Sequence, residues 1–140
     1  MVETDGLKDI FPSSADGKRL DELEAIGGNI YAFPLDDDPQ ESLDHLVERV
    51  RSTTQVVLSE AAARNYSSVG LVSHGDTLSA IDWVLRHTAS PTSYDEMKND
   101  FYLQKAEACG YTLDEQSRLL SEGRIIRVGL VSQSLEAFRG

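Results

Sequence analysis

Val69-Gly70-Leu71-Val72-Ser73-His74-Gly75-Asp76 is a short apolar run that ends in Ser-His-Gly-Asp. A few residues rich in Val and Leu, bounded by polar positions, read as a buried strand over residues 68–73. A histidine and a glycine at the carboxyl end of such a strand, ahead of a helical pattern, sit where open α/β sheets place their ligands. Gly75 lets the backbone approach a bound group, and the N-terminus of the next helix favours an anion. The stretch predicts an α/β fold in which His74 faces a phosphate. A solvated loop or capping residue is the plain reading of a lone histidine here, so its surroundings must decide.

Upstream of the strand the pattern is helical. Asp38 is a good N-cap, Pro39 suits the first helical position, and Glu41 stands at capping-box spacing. Leu43, Leu46, Val47, Val50, Val57, Leu58 and Ala61 then recur on one helix face, as far as about Arg64, where Asn65-Tyr66-Ser67 breaks the pattern. Asp44, Glu48, Arg49 and Arg51 read as its solvated face, and His45 as an exposed helical residue. The acidic run Asp36-Asp37-Asp38 is a loop plus a helix cap rather than a metal site.

Downstream, a second helix is expected over 77–87, with Leu78, Ile81, Trp83, Val84 and Leu85 apolar on more than one side, hence well buried. Arg86 and His87 fall near its end, and Ser90-Pro91 terminates the stretch. Ser93-Tyr94-Asp95-Glu96 resembles another capping box and opens a short helix whose Tyr94, Met97 and Phe101 read as core. Two strand candidates follow, Ala106–Leu113 and Arg124–Val131, joined by a hairpin loop at 114–123. The order helix, strand, helix, helix, strand, strand indicates a layered α/β domain with a mixed sheet. No repeat or low-complexity linker interrupts residues 1–140, which read as one domain.

Composition narrows the function classes. A net charge of −11 leaves no basic stripe for nucleic acid, while a small anionic substrate needs only a local cationic pocket. No apolar run approaches a bilayer span of about 20 residues, and no signal-peptide pattern is seen, so no membrane partner is expected. The single cysteine, Cys109, suits a reducing cytoplasm and reads as a small buried hydrophobe. Without a cysteine cluster, and with histidines scattered at positions 45, 74 and 87, neither a metal nor an organic cofactor is implied.

Taken in order, these blocks resemble the histidine phosphatase superfamily, the phosphoglycerate mutase-like group. Val69–Asp76 is similar to the family's apolar strand ending in His-Gly. Pro39-Gln40-Glu41-Ser42-Leu43, with Arg49-Val50 behind it, is similar to the Pro-Gly-Gly-Glu-Ser helix entry and its downstream arginine. Leu7-Lys8-Asp9-Ile10, Asp16-Gly17 and Asp21-Glu22-Leu23 follow the rhythm Leu-Arg-Glu-apolar, Glu-Gly, Asp-Glu-Ile. Gln104-Lys105-Ala106-Glu107 looks like the Asn-Ala-Glu entry to a late strand. The resemblance spans nearly the whole chain from residue 5.

The resemblance implies a three-layer α/β/α sheet and phosphoryl transfer through a phosphohistidine. Phosphoryl transfer needs an in-line nucleophile, clustered positive charge and a proton donor. Carried over, His74 is the second, phosphoryl-binding histidine, with the Gly75 N–H assisting. Asp9 falls at the acid position, with Glu22 as the rival acid or a solvated position on a short helix. No Arg-His-Gly occurs in the 140 residues. The expectation is therefore a partial domain, missing its N-terminal strand region and inactive as this chain alone in phosphomonoester hydrolysis or mutase transfer. A non-catalytic pseudophosphatase binding a phospholigand or protein partner is the alternative, and an unrelated α/β module the third reading. Apolar surface left where that strand belongs is expected to be covered by a homodimer or by strand swapping.

Overall fold

The computed structural model describes residues 3–8, 19–27 and 41–127, and within them shows a mixed α/β set of elements. A 3-10 turn at Asp5–Leu7 is followed by α1 (Leu20–Ala25), α2 (Leu43–Ala63), α3 (Gly75–Arg86), α4 (Tyr94–Asp100), β1 (Glu107–Leu113) and β2 (Leu119–Arg127). The chain divides into two compact units, Met1–Tyr102 and Leu103–Gly140.

In the first unit the long amphipathic helix packs along α3. Leu46, Val47 and Val50 of α2 are fully buried against Ala80, Ile81 and Trp83 of α3, and Tyr94 and Met97 of α4 complete the cluster. Each large apolar side chain so buried contributes about 1.5–3 kcal/mol before entropy is counted. The expected core face of α2 is thus the observed one, with Thr54 and Ala61 continuing it. Its end is also as read. Arg64 caps it, Asn65 takes a left-handed φ of 55°, and the N–H groups of Asn65 and Tyr66 bond to the carbonyls of Ala62 and Ala61. This crossed pair of bonds satisfies carbonyls that the helix itself leaves open.

The start of α2 differs from expectation. Asp38 and Pro39 lie outside the described residues, and the helix opens at Leu43 behind Ser42, whose Oγ accepts from His45 N–H at 3.1 Å. Glu41 is buried and takes a different part, described below.

α3 begins two residues before the expected 77 and ends at Arg86. Trp83 is buried and its indole N–H donates to Ala89 O at 2.9 Å, tying down the chain that leaves the helix. At α4, Ser93 Oγ accepts from Glu96 N–H, half of the expected box. The other half is displaced by one residue: Glu96 Oε2 accepts from the N–H and the hydroxyl of Thr92, at 2.6 and 2.7 Å, and these bonds hold its carboxyl below the usual glutamate range.

The run 68–73 is not a sheet strand. Residues 68–74 belong to no strand, and the sheet among the described residues is the antiparallel pair β1–β2 rather than a mixed one. A strand is defined by its neighbour, and local apolarity cannot supply one. The strand alternation nevertheless survives: Leu71 and Ser73 are half-buried, whereas Val72 and His74 are exposed. Val72 is 92% exposed and Val69 42%, so the run is not the buried strand expected.

In the second unit β1 begins one residue later than expected and ends at Leu113, and β2 begins five residues earlier than Arg124. Cys109, half-buried, pairs with Ile125 across the ladder. The expected ten-residue loop is instead a tight turn. Ser117 N–H bonds to Asp114 O at 2.9 Å, Ser117 takes a left-handed φ of 61°, and Asp114 N–H bonds to Arg118 O. The Asp114 carboxylate accepts from the N–H groups of Gln116 and Arg118 and from Arg118 Nε at 2.6 Å. An aspartate that binds its own turn in this way replaces a longer loop.

Candidate functional site at the start of α3

Several polar groups meet at the N-terminal end of α3. His74 is the N-cap residue, with extended backbone (φ −98°, ψ 163°), an exposed side chain and no side-chain capping bond to the helix. Its own carbonyl accepts from Leu78 N–H at 2.8 Å. His74 thus stands at a helix start as expected, but not at the end of a sheet strand.

Gly75, at the first helical position, lies against the Tyr102 ring. A Cβ there would lie 2.5 Å from Tyr102 Oη and 2.9 Å from its Cζ. Tyr94 reaches the same turn, donating its hydroxyl to Asp76 Oδ1 at 3.2 Å. Burial, then the Asp76 charge and that hydrogen bond, push the Tyr94 phenol well above its usual range. Lys98 lies 5.5 Å from the Tyr94 ring centroid and 5.4 Å from that of Tyr102, placing one cation over both rings.

A second group of contacts brings the N-terminal segment to this end of α3. Ser73 Oγ donates to Leu7 O at 2.6 Å, and Thr77 Oγ1 donates to Lys8 O at 2.9 Å. Arg49 Nη1, from α2, donates to Gly6 O at 2.8 Å and to Lys8 O at 3.2 Å. The guanidinium is oriented by a bidentate pair with Glu41, Nε to Oε1 at 2.6 Å and Nη2 to Oε2 at 2.8 Å. His45 Nδ1 stands 3.1 Å from the same Oε1. Glu41, 5% exposed, is thus held by ionic and hydrogen-bond partners, as a buried carboxylate must be.

No family model, curated protein or solved structure matches the chain.

Of the predicted site residues, the structure places His74 and Gly75 together at the start of α3. Asp9 lies outside the described residues; the chain is described up to Lys8, whose carbonyl is bound by Thr77. Glu22 is exposed on α1, where its Oε2 accepts from Arg19 N–H at 2.8 Å, a capping role. Arg49 and Arg51 are not the solvated face expected: their side chains are 14% and 19% exposed, and Arg51 Nη1 donates to His87 O. Glu41 precedes the helix that carries Arg49, so their pairing is not an intrahelical one. His87 lies at the other end of α3, stacked on Trp83 at 4.1 Å and 3.4 Å from Asp100. Among the described residues no group of His, Cys, Asp and Glu is arranged to hold a metal ion, and no helix is long and apolar enough to cross a membrane.

Proposed function

We propose that the chain is a histidine phosphatase-like, phosphoglycerate mutase-like domain that binds the phosphoryl group of a small phosphomonoester at the start of α3. The observation that carries this reading is the placement of His74: an exposed imidazole at the N-cap of a 12-residue helix, beside the Gly75 N–H. Helix N-terminal N–H groups and an imidazole together suit a phosphate oxygen. The reading carries with it the family's three-layer α/β/α sheet, in which the stretch matching Val69–Ser73 is a strand, whereas here that stretch pairs with no strand among the described residues. Asp9 is the acid that protonates the leaving alcohol in the same reading. The 140 residues contain no Arg-His-Gly, so they supply no nucleophile of the family's kind, and binding without turnover is expected of this chain. A reducing, cytoplasmic setting suits its lone cysteine, and a homodimer covering Val69 and Val72 belongs to the same proposal.

The test is titration of the purified chain with inorganic phosphate, followed by 31P and imidazole NMR, beside an aryl phosphate hydrolysis assay. His74→Ala should weaken phosphate binding by roughly tenfold or more, the worth of one charge-assisted hydrogen bond. Equal affinity in the variant, or no binding by the parent chain, would sink the proposal. Steady hydrolysis that His74→Ala abolishes would keep the site but overturn the expectation of inactivity. Sedimentation velocity decides the homodimer.

A further inference from the structure

We infer that Lys98 supplies a cation to the phosphoryl site at the start of α3, and that Tyr102 is the positioning residue that holds it there. This role rests on the site proposed above and adds a binding residue to it. Lys98 stands in the last turn of α4, four residues after Tyr94 and four before Tyr102. The spacing puts Tyr94 and Lys98 in one row of the helix, and the ammonium lies 5.5 Å from the Tyr94 ring centroid. Phe101 caps α4 with extended backbone, so the chain leaves the helix there, and the Tyr102 ring centroid is 5.4 Å from the same ammonium. The Tyr102 hydroxyl in turn lies against Gly75, 2.5 Å from where a Cβ would stand. One aromatic side chain thus joins the cation to the residue next to His74. These contacts put the ammonium within roughly one Debye length, about 10 Å, of the first turn of α3.

Charge shows what such a cation is for. Lys8, Arg49, Arg51 and Arg86 each stand against a carboxylate, those of Asp5, Glu41, Glu48 and Asp82. Among the described residues Lys98 is paired with none, in a chain of net charge −11. A ring face attracts an ammonium but carries no net charge, so the field of the cation and its donors stay available to an anion. Asp76, in the first turn of α3, opposes an anion at this place. Its Oδ1 accepts from the Tyr94 hydroxyl, and Lys98 lies over that same Tyr94 ring, which sets a positive charge beside the negative one. The flexible four-carbon stem of a lysine then lets the ammonium close on a phosphate oxygen once one is present.

The test uses the full chain with inorganic phosphate as the probe. Imidazole NMR reads His74, and the ammonium and ε-methylene signals read Lys98. In the parent protein phosphate should shift both with one dissociation constant. Lys98→Gln should weaken phosphate binding about fivefold at low salt, the upper range for a partly exposed ion pair. His74 should still respond at saturation, and the deficit should shrink as salt nears about 1 M, where the Debye length is about 3 Å. Lys98→Arg, which keeps the charge, should restore the affinity. Tyr102→Leu should weaken binding to a similar extent and add little in the double variant with Lys98→Gln, because both remove one placed charge.

Lys98 signals that ignore phosphate while His74 responds, or a Lys98→Gln protein with the parent's affinity, would overturn the role of Lys98 and leave the proposed function standing. A deficit that salt does not reduce would overturn it too, since a structural effect is not screened. Full affinity in Tyr102→Leu would overturn the positioning role of Tyr102. The Lys98 signal of the parent needs no substitution, so a variant that fails to fold leaves the test decisive. Absence of any response at His74 in the parent would overturn the proposed function and the role of Lys98 with it.

Discussion

Replacing Gly6 by alanine is expected to lift the N-terminal segment from α2. A methyl group at Gly6 would overlap Thr53 Oγ1 and lie 2.7 and 2.8 Å from Thr53 Cβ and Cγ2, all closer than real contacts allow. Thr53 cannot step aside, because it stands inside α2 with its hydroxyl donating to Arg49 O at 2.8 Å. The segment must move instead, and it carries four side chain-to-carbonyl hydrogen bonds, two from Arg49 and one each from Ser73 and Thr77. At about 1 kcal/mol net for each bond, and about 1 kcal/mol for the half-buried Leu7, attachment is worth about 5 kcal/mol gross. Freeing three or four residues returns about 1 kcal/mol each of backbone entropy, so the expected loss is about 1–2 kcal/mol. Urea unfolding of the first unit, with exchange of residues 5–8, measures it. Thr53→Ala in the same background should recover part of the loss by removing Oγ1 and Cγ2, and the coupling is read from a double-mutant cycle. A Gly6→Ala protein of unchanged or greater stability, the outcome for a glycine with room around it, would refute the steric argument.

Three further predictions concern other parts of the molecule. Ser117→Gly should stabilise the β1–β2 hairpin by about 0.5–1 kcal/mol, since glycine occupies the left-handed region without the Cβ penalty; hairpin amide exchange that quickens in this variant would count against the turn. Asp114 is held below the ordinary aspartate range, first by the Arg118 N–H and then by the Arg118 side chain and the Gln116 N–H. A depressed carboxyl gives stability that is present above its unfolded pKa of about 4 and is lost as pH falls through the folded value. Hairpin amide shifts should therefore move in acid, and Asp114→Asn should abolish that dependence. Tyr94 is raised by burial and by Asp76, so its contribution is complete below the unfolded pKa of about 10 and is lost as alkali ionises it. Ultraviolet titration should show one of the five tyrosines ionising late, and Tyr94→Phe should remove that late step.

Much of the first unit was legible because its signals are local. The apolar row of α2, its left-handed stop at Asn65, and the serine that opens α4 each act within a few residues of the chain. The start of α3 was legible to within two residues, the helix opening at Gly75 and not at the expected 77. Arg49 was misread as a solvated charge because two of its acceptors lie 41 and 43 residues away, a separation that no helical periodicity reports. The turn at Asp114 was read as longer than it is, since a polar stretch shows a break between strands but not that one aspartate will close it.

The quoted run Val69–Asp76 divides the two kinds of information. The sequence by itself determined that a helix follows the run and that a histidine and a glycine mark the junction; these depend on side-chain period and backbone freedom alone. Only the tertiary structure decided that the run stands outside any strand, that Tyr102 occupies the space left by the missing Gly75 side chain, and that Ser73, Thr77 and Arg49 hold the carbonyls of residues 6–8 across the turn. The reason is physical. Sheet pairing, close approach and carbonyl capture each need a partner from elsewhere in the chain, and a linear pattern records the readiness of a group to bond but not the group it meets.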